Sequence, residues 1–219
     1  LQGDHWQIRN RKTNAEPLFF PLQPNEDAPA LRVKVWDDFC EALVYPKDIN
    51  DWFGEQLGEP CTLVFLPESQ FRPVSQSKKP VSGTLSFADG YPYLITTEAS
   101  LDALNQRLPD SVTGLRFRPN IVLGSTGNPF AEDNWDKFSI AKARFQGIGP
   151  HGRCKVVDID PVTAKPDGRV LPVLSTFRKQ GNSINFGLSS HCINSDEQPL
   201  VREGDLLQFP LNRSRQFCV

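Results

Sequence analysis

The sequence predicts a mainly β protein of the α+β class, a barrel or a sandwich that carries a few short helices. Apolar residues gather in short runs, several of which alternate with polar residues as half-buried strands do. The connecting segments are rich in turn formers, with 19 Pro and 15 Gly among 219 residues. Many short strands at this spacing suit a closed or stacked sheet better than layers of helices.

The elements follow in order. Leu31-Arg32-Val33-Lys34-Val35-Trp36 alternates, with Leu31, Val33 and Val35 on one face. Pro46–Leu57 predicts a helix with Ile49, Trp52, Phe53 and Leu57 on one stripe and Gly58 at the C-terminal cap. Cys61–Leu66 is a nearly continuous apolar run, which predicts a strand buried on both faces. The polar, Pro-containing stretch Phe71–Pro80 predicts a domain boundary. Further strands are expected over Gly83–Asp89, Tyr93–Thr97, Arg116–Leu123, Cys154–Asp160 and Asp205–Leu211. A second helix is expected over Ser100–Leu108, capped by Ser100, with Leu101, Leu104 and Leu108 facing inward. A third is expected over Pro172–Gln180, opened by Pro172 and closed by Gly181.

Charge narrows the function. Lys and Arg number 24 against 26 Asp and Glu, a formal charge of -2, so no field selects nucleic acid or an anionic membrane. Phosphate affinity must then come from a local Arg or Lys cluster. No apolar run reaches the length of a bilayer span, and Leu1–His5 lacks the regions of a signal peptide. Five cysteines, an odd and irregularly spaced set, predict free thiols in a reducing compartment, the cytoplasm. Methionine is absent even at position 1, which predicts a fragment of a longer protein.

Two constellations carry the candidate chemistry. Read as a strand, Arg116-Phe117-Arg118-Pro119-Asn120 puts Arg116, Arg118 and Asn120 on one face, a platform of guanidinium forks and an amide. Such forks suit phosphate or carboxylate, and the alternative is a solvated surface Arg pair. In His151-Gly152-Arg153-Cys154-Lys155, a cysteine follows a glycine turn between two cations. That setting suits a soft ligand or a nucleophile, and the alternative is an inert buried thiol. A Cys2His2 zinc site from His151, Cys154, His191 and Cys192 has poor spacing, since neighbours on a strand point apart. A Cys154–His151 nucleophilic dyad lacks any sign of an oxyanion hole. The loop Gly124–Pro129 lacks the ending of a phosphate-binding loop, and Glu132-Asp133 reads either as an acid–base pair or as turn capping beside a core Trp135.

In this order the motifs resemble the MOSC family, the domain shared by molybdenum cofactor sulfurases and amidoxime-reducing proteins. The resemblance is carried by Ser86–Leu108, by RFRPNIVL, by Phe130–Trp135 and by Arg153–Thr163, with 36 residues from Arg118 to Cys154. Phe177-Arg178, Asn185-Phe186-Gly187 and Glu203-Gly204-Asp205 complete it, and Val33–Asp38 and Ile49–Gly58 resemble the latter part of the family's N-terminal barrel. The resemblance implies a MOSC-type β-barrel over residues 80–213, preceded over 1–75 by part of a small N-terminal β-barrel domain.

It also implies a molybdopterin-type molybdenum cofactor whose metal is held by Cys154, also the catalytic residue. Asp89, Arg118, Asn120, Gly152 and Arg153 would line the pterin and its phosphate. The function implied is that of a molybdenum-dependent oxidoreductase that reduces small N-hydroxylated compounds with electrons from a flavin, haem or iron–sulfur partner protein. The alternatives are a sulfur-carrier or cofactor-binding module associated with a pyridoxal-phosphate sulfurase, and a cofactor-free interaction domain. Three departures stand out. His151 replaces a frequent second cysteine, Leu188–Cys192 has no match, and the family's first strand with its Pro-x-Lys-Ser segment is missing. The chain is therefore expected to begin inside the N-terminal domain and to hold its cofactor weakly.

Overall fold

Phe20 is the first large side chain that the fold buries, and it does so from a short hairpin. β1 (His5–Ile8) pairs antiparallel with β2 (Leu18–Pro21), setting Trp6 opposite Phe20. The computed structural model describes residues 4–13, 15–74, 83–124, 127–194 and 199–210. They fall into two compact units, Leu1–Pro73 with Thr84–Asp89, and Val74–Gly83 with Gly90–Val219.

In the first unit, β3 (Ala30–Val35) pairs with β4 (Asp38–Val44), placing Val33 opposite Cys40 and Leu31 opposite Ala42. The alternation read from the sequence holds in part: Val33 and Val35 are half-buried but Leu31 is exposed, and the buried side chains of the pair are Cys40 and Ala42 of β4. α1 (Lys47–Leu57) ends at Gly58, whose φ of 78° is the left-handed cap that glycine adopts without a Cβ penalty. It presents Ile49 and Phe53 to Phe20 and Tyr45.

The strand expected over Cys61–Leu66 shrinks to β5 (Val64–Phe65) on β4. Leu63 instead donates its N–H to the Asn50 side chain at 2.7 Å and accepts from the Tyr45 N–H at 3.1 Å. Tied to the start of a helix, that half of the run cannot enter a ladder, and only Leu66 is buried. The stretch expected over Gly83–Asp89 contracts to β7 (Thr84–Leu85), paired with β6 (Arg72–Pro73). Arg72 is buried there on the Asp38 carboxylate and on the Ser86 and Ala88 carbonyls. Residues 75–80 of the expected boundary lie outside the described residues.

The second unit is organised by two long strands that the sequence did not announce, β11 (Ala143–Gly152) and β13 (Ser183–Cys192). They pair with each other. β13 is flanked by β8 (Tyr93–Thr97), which carries β9 (Ile121–Leu123) in parallel, and β11 by β10 (Lys137–Ile140), which carries β14 (Leu207–Gln208). β12 (Lys179–Gln180) folds back on β13. The β11–β13 register slips between Gly147 and Gly149 and again between Pro150 and Gly152. Bulges of this kind bend a strand and raise its twist, and the sheet curls into a nearly closed barrel. The fold is mainly β, α+β, as expected. No helix of the described residues is long and apolar enough to cross a membrane.

Both remaining helices start earlier than expected, each for a reason of capping. α2 (Glu98–Asn105) is capped by Thr97, whose hydroxyl accepts from the Ser100 N–H at 3.2 Å, so Ser100 lies inside the helix. α3 (Val170–Phe177) begins before Pro172 because one oxygen of Asp158 accepts from the Val170 and Leu171 amides at 2.8 and 2.9 Å. One core gathers Leu104, Phe117, Val157, Val170, Leu174 and Phe186; a second gathers Ile95, Phe138, Ile140, Phe145 and Leu188.

Glu132 is fully buried, accepting from the Ser100 hydroxyl at 2.6 Å and the Thr97 hydroxyl at 3.2 Å. Burial raises its carboxyl above the usual range, against the pull of the Ser100 bond. The group therefore favours folding while protonated, and that contribution is lost as pH rises through its folded-state value. Glu132→Gln is expected to gain stability over the native protein at alkaline pH while matching it at acidic pH. Denaturation midpoints measured across pH check this, and parallel profiles would contradict it.

Candidate functional site

Arg116 and Arg118 are two apart in sequence, yet the structure sends them to opposite destinations. Gly114–Phe117 forms a 3-10 turn, not the start of a strand, and Arg118 closes it in the left-handed region at φ 53°. The strand begins only at Ile121, so Arg116, Arg118 and Asn120 do not share a strand face. The pattern misled because a 3-10 turn repeats every three residues, not two.

Arg116 points inward and is 3% exposed. Its guanidinium grips Asp167 at 2.6 and 3.1 Å, Asp160 at 3.2 Å and the Val157 carbonyl at 3.4 Å. Its hydrogen bonds hold the Asp167 carboxyl at about 2, against the opposing effect of desolvation. Arg118 points outward, exposed, with no side-chain partner among the described residues. Asn120 is exposed as well but pinned to β8: its N–H donates to the Leu94 carbonyl at 2.9 Å and its side-chain oxygen accepts from the Leu94 N–H at 2.8 Å. Its amide nitrogen is what remains to meet a ligand.

The cysteine segment arrives at the same place from the end of β11. Gly152 stands opposite Asn185, and an added Cβ would lie 2.6 Å from the Ser183 hydroxyl. Strand packing therefore accounts for this glycine. Arg153 follows, its N–H bonded to the Ile184 carbonyl at 2.7 Å and its Nη2 donating to the Phe117 carbonyl at 2.9 Å. Its guanidinium also lies 5.5 Å from the Phe117 ring centroid. Burial lowers Arg153 to about 10; the Cys154 sulfur opposes that fall and the Arg118 charge adds to it. Its Nε is buried with no partner among the described residues.

Cys154 is an exposed free thiol. The strand expected over Cys154–Asp160 is a 3-10 turn, Lys155–Asp158, which Cys154 opens by accepting from the Val157 N–H at 3.3 Å. Arg118, Arg153 and Cys154 thus gather at the ends of a turn and a strand that Phe117 joins. Gly152 and Asn120 flank them in sequence. Asp89 belongs to the first unit, where it is exposed and accepts from the Trp36 indole at 3.3 Å.

Other readings lose ground. His191 and Cys192 stand opposite Gln146 and Phe145, at the far end of the β11–β13 ladder from Gly152. That is roughly 20 Å at the usual rise per residue. No three His, Cys, Asp or Glu side chains gather to hold a metal among the described residues, so the Cys2His2 arrangement is not formed. His151 directs Nδ1 to the Ser189 hydroxyl at 2.9 Å. Glu132 and Asp133 are no acid–base pair: the first is buried among hydroxyls, and the second is paired with Arg178 at 2.6 Å. Ser125 and Thr126 of the Gly124–Pro129 loop lie outside the described residues.

The donor set is one exposed sulfur, one exposed guanidinium and one half-buried guanidinium whose buried Nε–H is unused among the described residues. It suits a ligand that brings a soft metal together with an anionic group. The structural support beneath it, from Arg116, Asp158 and the Phe117 carbonyl, was not visible in sequence. Its partners lie 12 to 51 residues apart, and only the run of acids Asp158, Asp160 and Asp167 could have hinted at a buried cation.

Comparison with known proteins gives the chain a family and relatives. The MOSC domain matches residues 82–208. A molybdenum cofactor sulfurase of Oryza sativa subsp. japonica is 31% identical over 173 residues, covering 71% of this chain and 21% of that protein. The Homo sapiens molybdenum cofactor sulfurase is 28% identical over 218 residues, covering 86% of this chain and 24% of its own length. Mitochondrial amidoxime-reducing component 1 of Mus musculus is 31% identical over 167 residues, covering 74% and 48%. The chain spans between about a fifth and a half of these relatives.

Proposed function

Because the chain belongs to the MOSC domain family, we propose that it binds a molybdopterin-type molybdenum cofactor through Cys154 and reduces small N-hydroxylated compounds. The observation that carries this reading is the exposed Cys154 beside Arg153, whose buried Nε lacks a partner among the described residues, and an exposed Arg118 whose side chain has none among them either. Cys154 would supply the thiolate ligand. Arg118 and Arg153 would hold the cofactor's phosphate, and the Asn120 amide nitrogen would meet the pterin. Gly152 and Asp89 are assigned to the pterin by resemblance alone. The bound cofactor would supply a metal that changes oxidation state. Electrons would come from a flavin, haem or iron–sulfur protein, and the oxygen would leave as water.

In this reading residues 80–213 are the MOSC domain and 1–75 part of its N-terminal barrel. Free thiols at all four described cysteines fit a reducing compartment such as the cytoplasm. A second reading, a sulfur-carrier module of a sulfurase, is favoured by the match to the human sulfurase over 86% of the chain. A persulfide on Cys154 in place of bound molybdenum would select it.

The test is molybdenum and pterin content after expression in a host that makes molybdopterin. Arg118→Ala is expected to weaken retention about ten- to a hundredfold, since one charge-assisted contact to phosphate contributes roughly 1.5–3 kcal/mol. If the variant instead melts early while cofactor per folded molecule stays constant, Arg118 is structural and the assignment fails.

A further inference from the structure

The segment that carries Arg118 also holds the turn that carries Cys154, and it does so through a side chain that no ligand would touch. Lys155–Asp158 turns directly after Cys154, and the segment then runs through Asp160 and Asp167 to α3. Arg116 meets this segment at three places: the Val157 carbonyl inside the turn, Asp160 beyond it, and Asp167 by a two-pronged contact. The next residue, Phe117, accepts from Arg153 on the other side of Cys154. Phe117 is fixed in turn by stacking on Phe186, with centroids 3.9 Å apart. Cys154 therefore sits between two points held by consecutive residues of one 3-10 turn.

We infer that Arg116 is a positioning residue for Cys154. A guanidinium buried at 3% exposure among two carboxylates and a carbonyl has few alternative geometries, so the turn it holds is fixed as well. An exposed thiol on a loosely held turn would sample many directions, whereas a ligand must be presented within a narrow cone. The inference rests on the proposed role of Cys154, and its test separates the two.

Removing Arg116 risks unfolding the unit, so the loop side is altered first, by Asp167→Asn. In metal-free protein this variant is expected to raise amide hydrogen exchange at Val157 and Ile159 about tenfold, the equivalent of one charge-assisted hydrogen bond. Exchange in β8 and β13 should stay unchanged. In protein from a molybdopterin-producing host, molybdenum should fall relative to pterin, because the phosphate contacts of Arg118 and Arg153 remain. Arg116→Lys, which cannot fork, should reproduce the loss. Unchanged exchange at Val157 overturns the inference, as does a parallel loss of molybdenum and pterin per folded molecule. A native protein that binds neither overturns the proposed function instead, and the exchange experiment still decides whether Arg116 holds the turn.

Discussion

Gly147→Ala is expected to prevent the second unit from folding. A Cβ built at Gly147 overlaps the carbonyl oxygen of Trp135 and comes within 3.4 Å of Leu188 Cδ1. The backbone there is also fixed, because the Gly147 N–H donates to the Asp136 carbonyl at 2.6 Å. The atoms it overlaps most closely, the Trp135 carbonyl, are main chain, so no rotamer change relieves the clash, and β11 would have to leave the sheet at its first bulge. Overpacking of side chains costs about 1–3 kcal/mol. A clash with fixed backbone should exceed about 4 kcal/mol, which removes most of the stability of an ordinary domain. Gly90→Ala is the matching control, since nothing lies within 4 Å of its added Cβ. Expression level and thermal denaturation of the two variants check the contrast.

Cys154→Ser is expected to remove molybdenum with little change in stability. The thiol is exposed and closes no core, so its replacement should stay within about 0.5 kcal/mol. A serine hydroxyl is a hard, poorly acidic donor and a weak substitute for a thiolate at a soft metal. Metal analysis beside a melting curve separates the two effects. A variant that keeps its full molybdenum would exclude Cys154 as ligand.

Local signals were legible wherever a short segment decides its own conformation. α1 ends at Gly58 as its sequence requires, and Tyr93–Thr97 forms a strand over the expected residues. The long strands β11 and β13 escaped notice because Gly147, Gly149, Pro150 and Gly187 interrupt their apolar pattern. In the sheet those residues serve bulges and close backbone approach. At Gly187, with φ 81°, an added Cβ would lie 2.9 Å from the Ile95 carbonyl oxygen. The start of α3 was misplaced because its cap, Asp158, lies twelve residues upstream of Val170, beyond any local motif.

The candidate site shows the same division. Arg118, Arg153 and Cys154 are named by their motifs, and the fold gathers them. Their roles stay proposals. Arg116 was read as a third member of an exposed platform, yet it is a buried anchor. Sequence alone records that an arginine stands there, while its burial depends on carboxylates 44 and 51 residues away. Asn120 illustrates an intermediate case: its exposure fits a ligand-binding amide, but half of that amide is already engaged with Leu94.

The central claim is that Cys154 is the protein ligand to molybdenum. X-ray absorption at the molybdenum edge, compared between native protein and Cys154→Ser from the same molybdopterin-producing host, tests it most directly. The account predicts that the native spectrum requires one more sulfur in the first coordination shell than any metal left in the variant. Identical sulfur shells in the two proteins at equal molybdenum loading would contradict it.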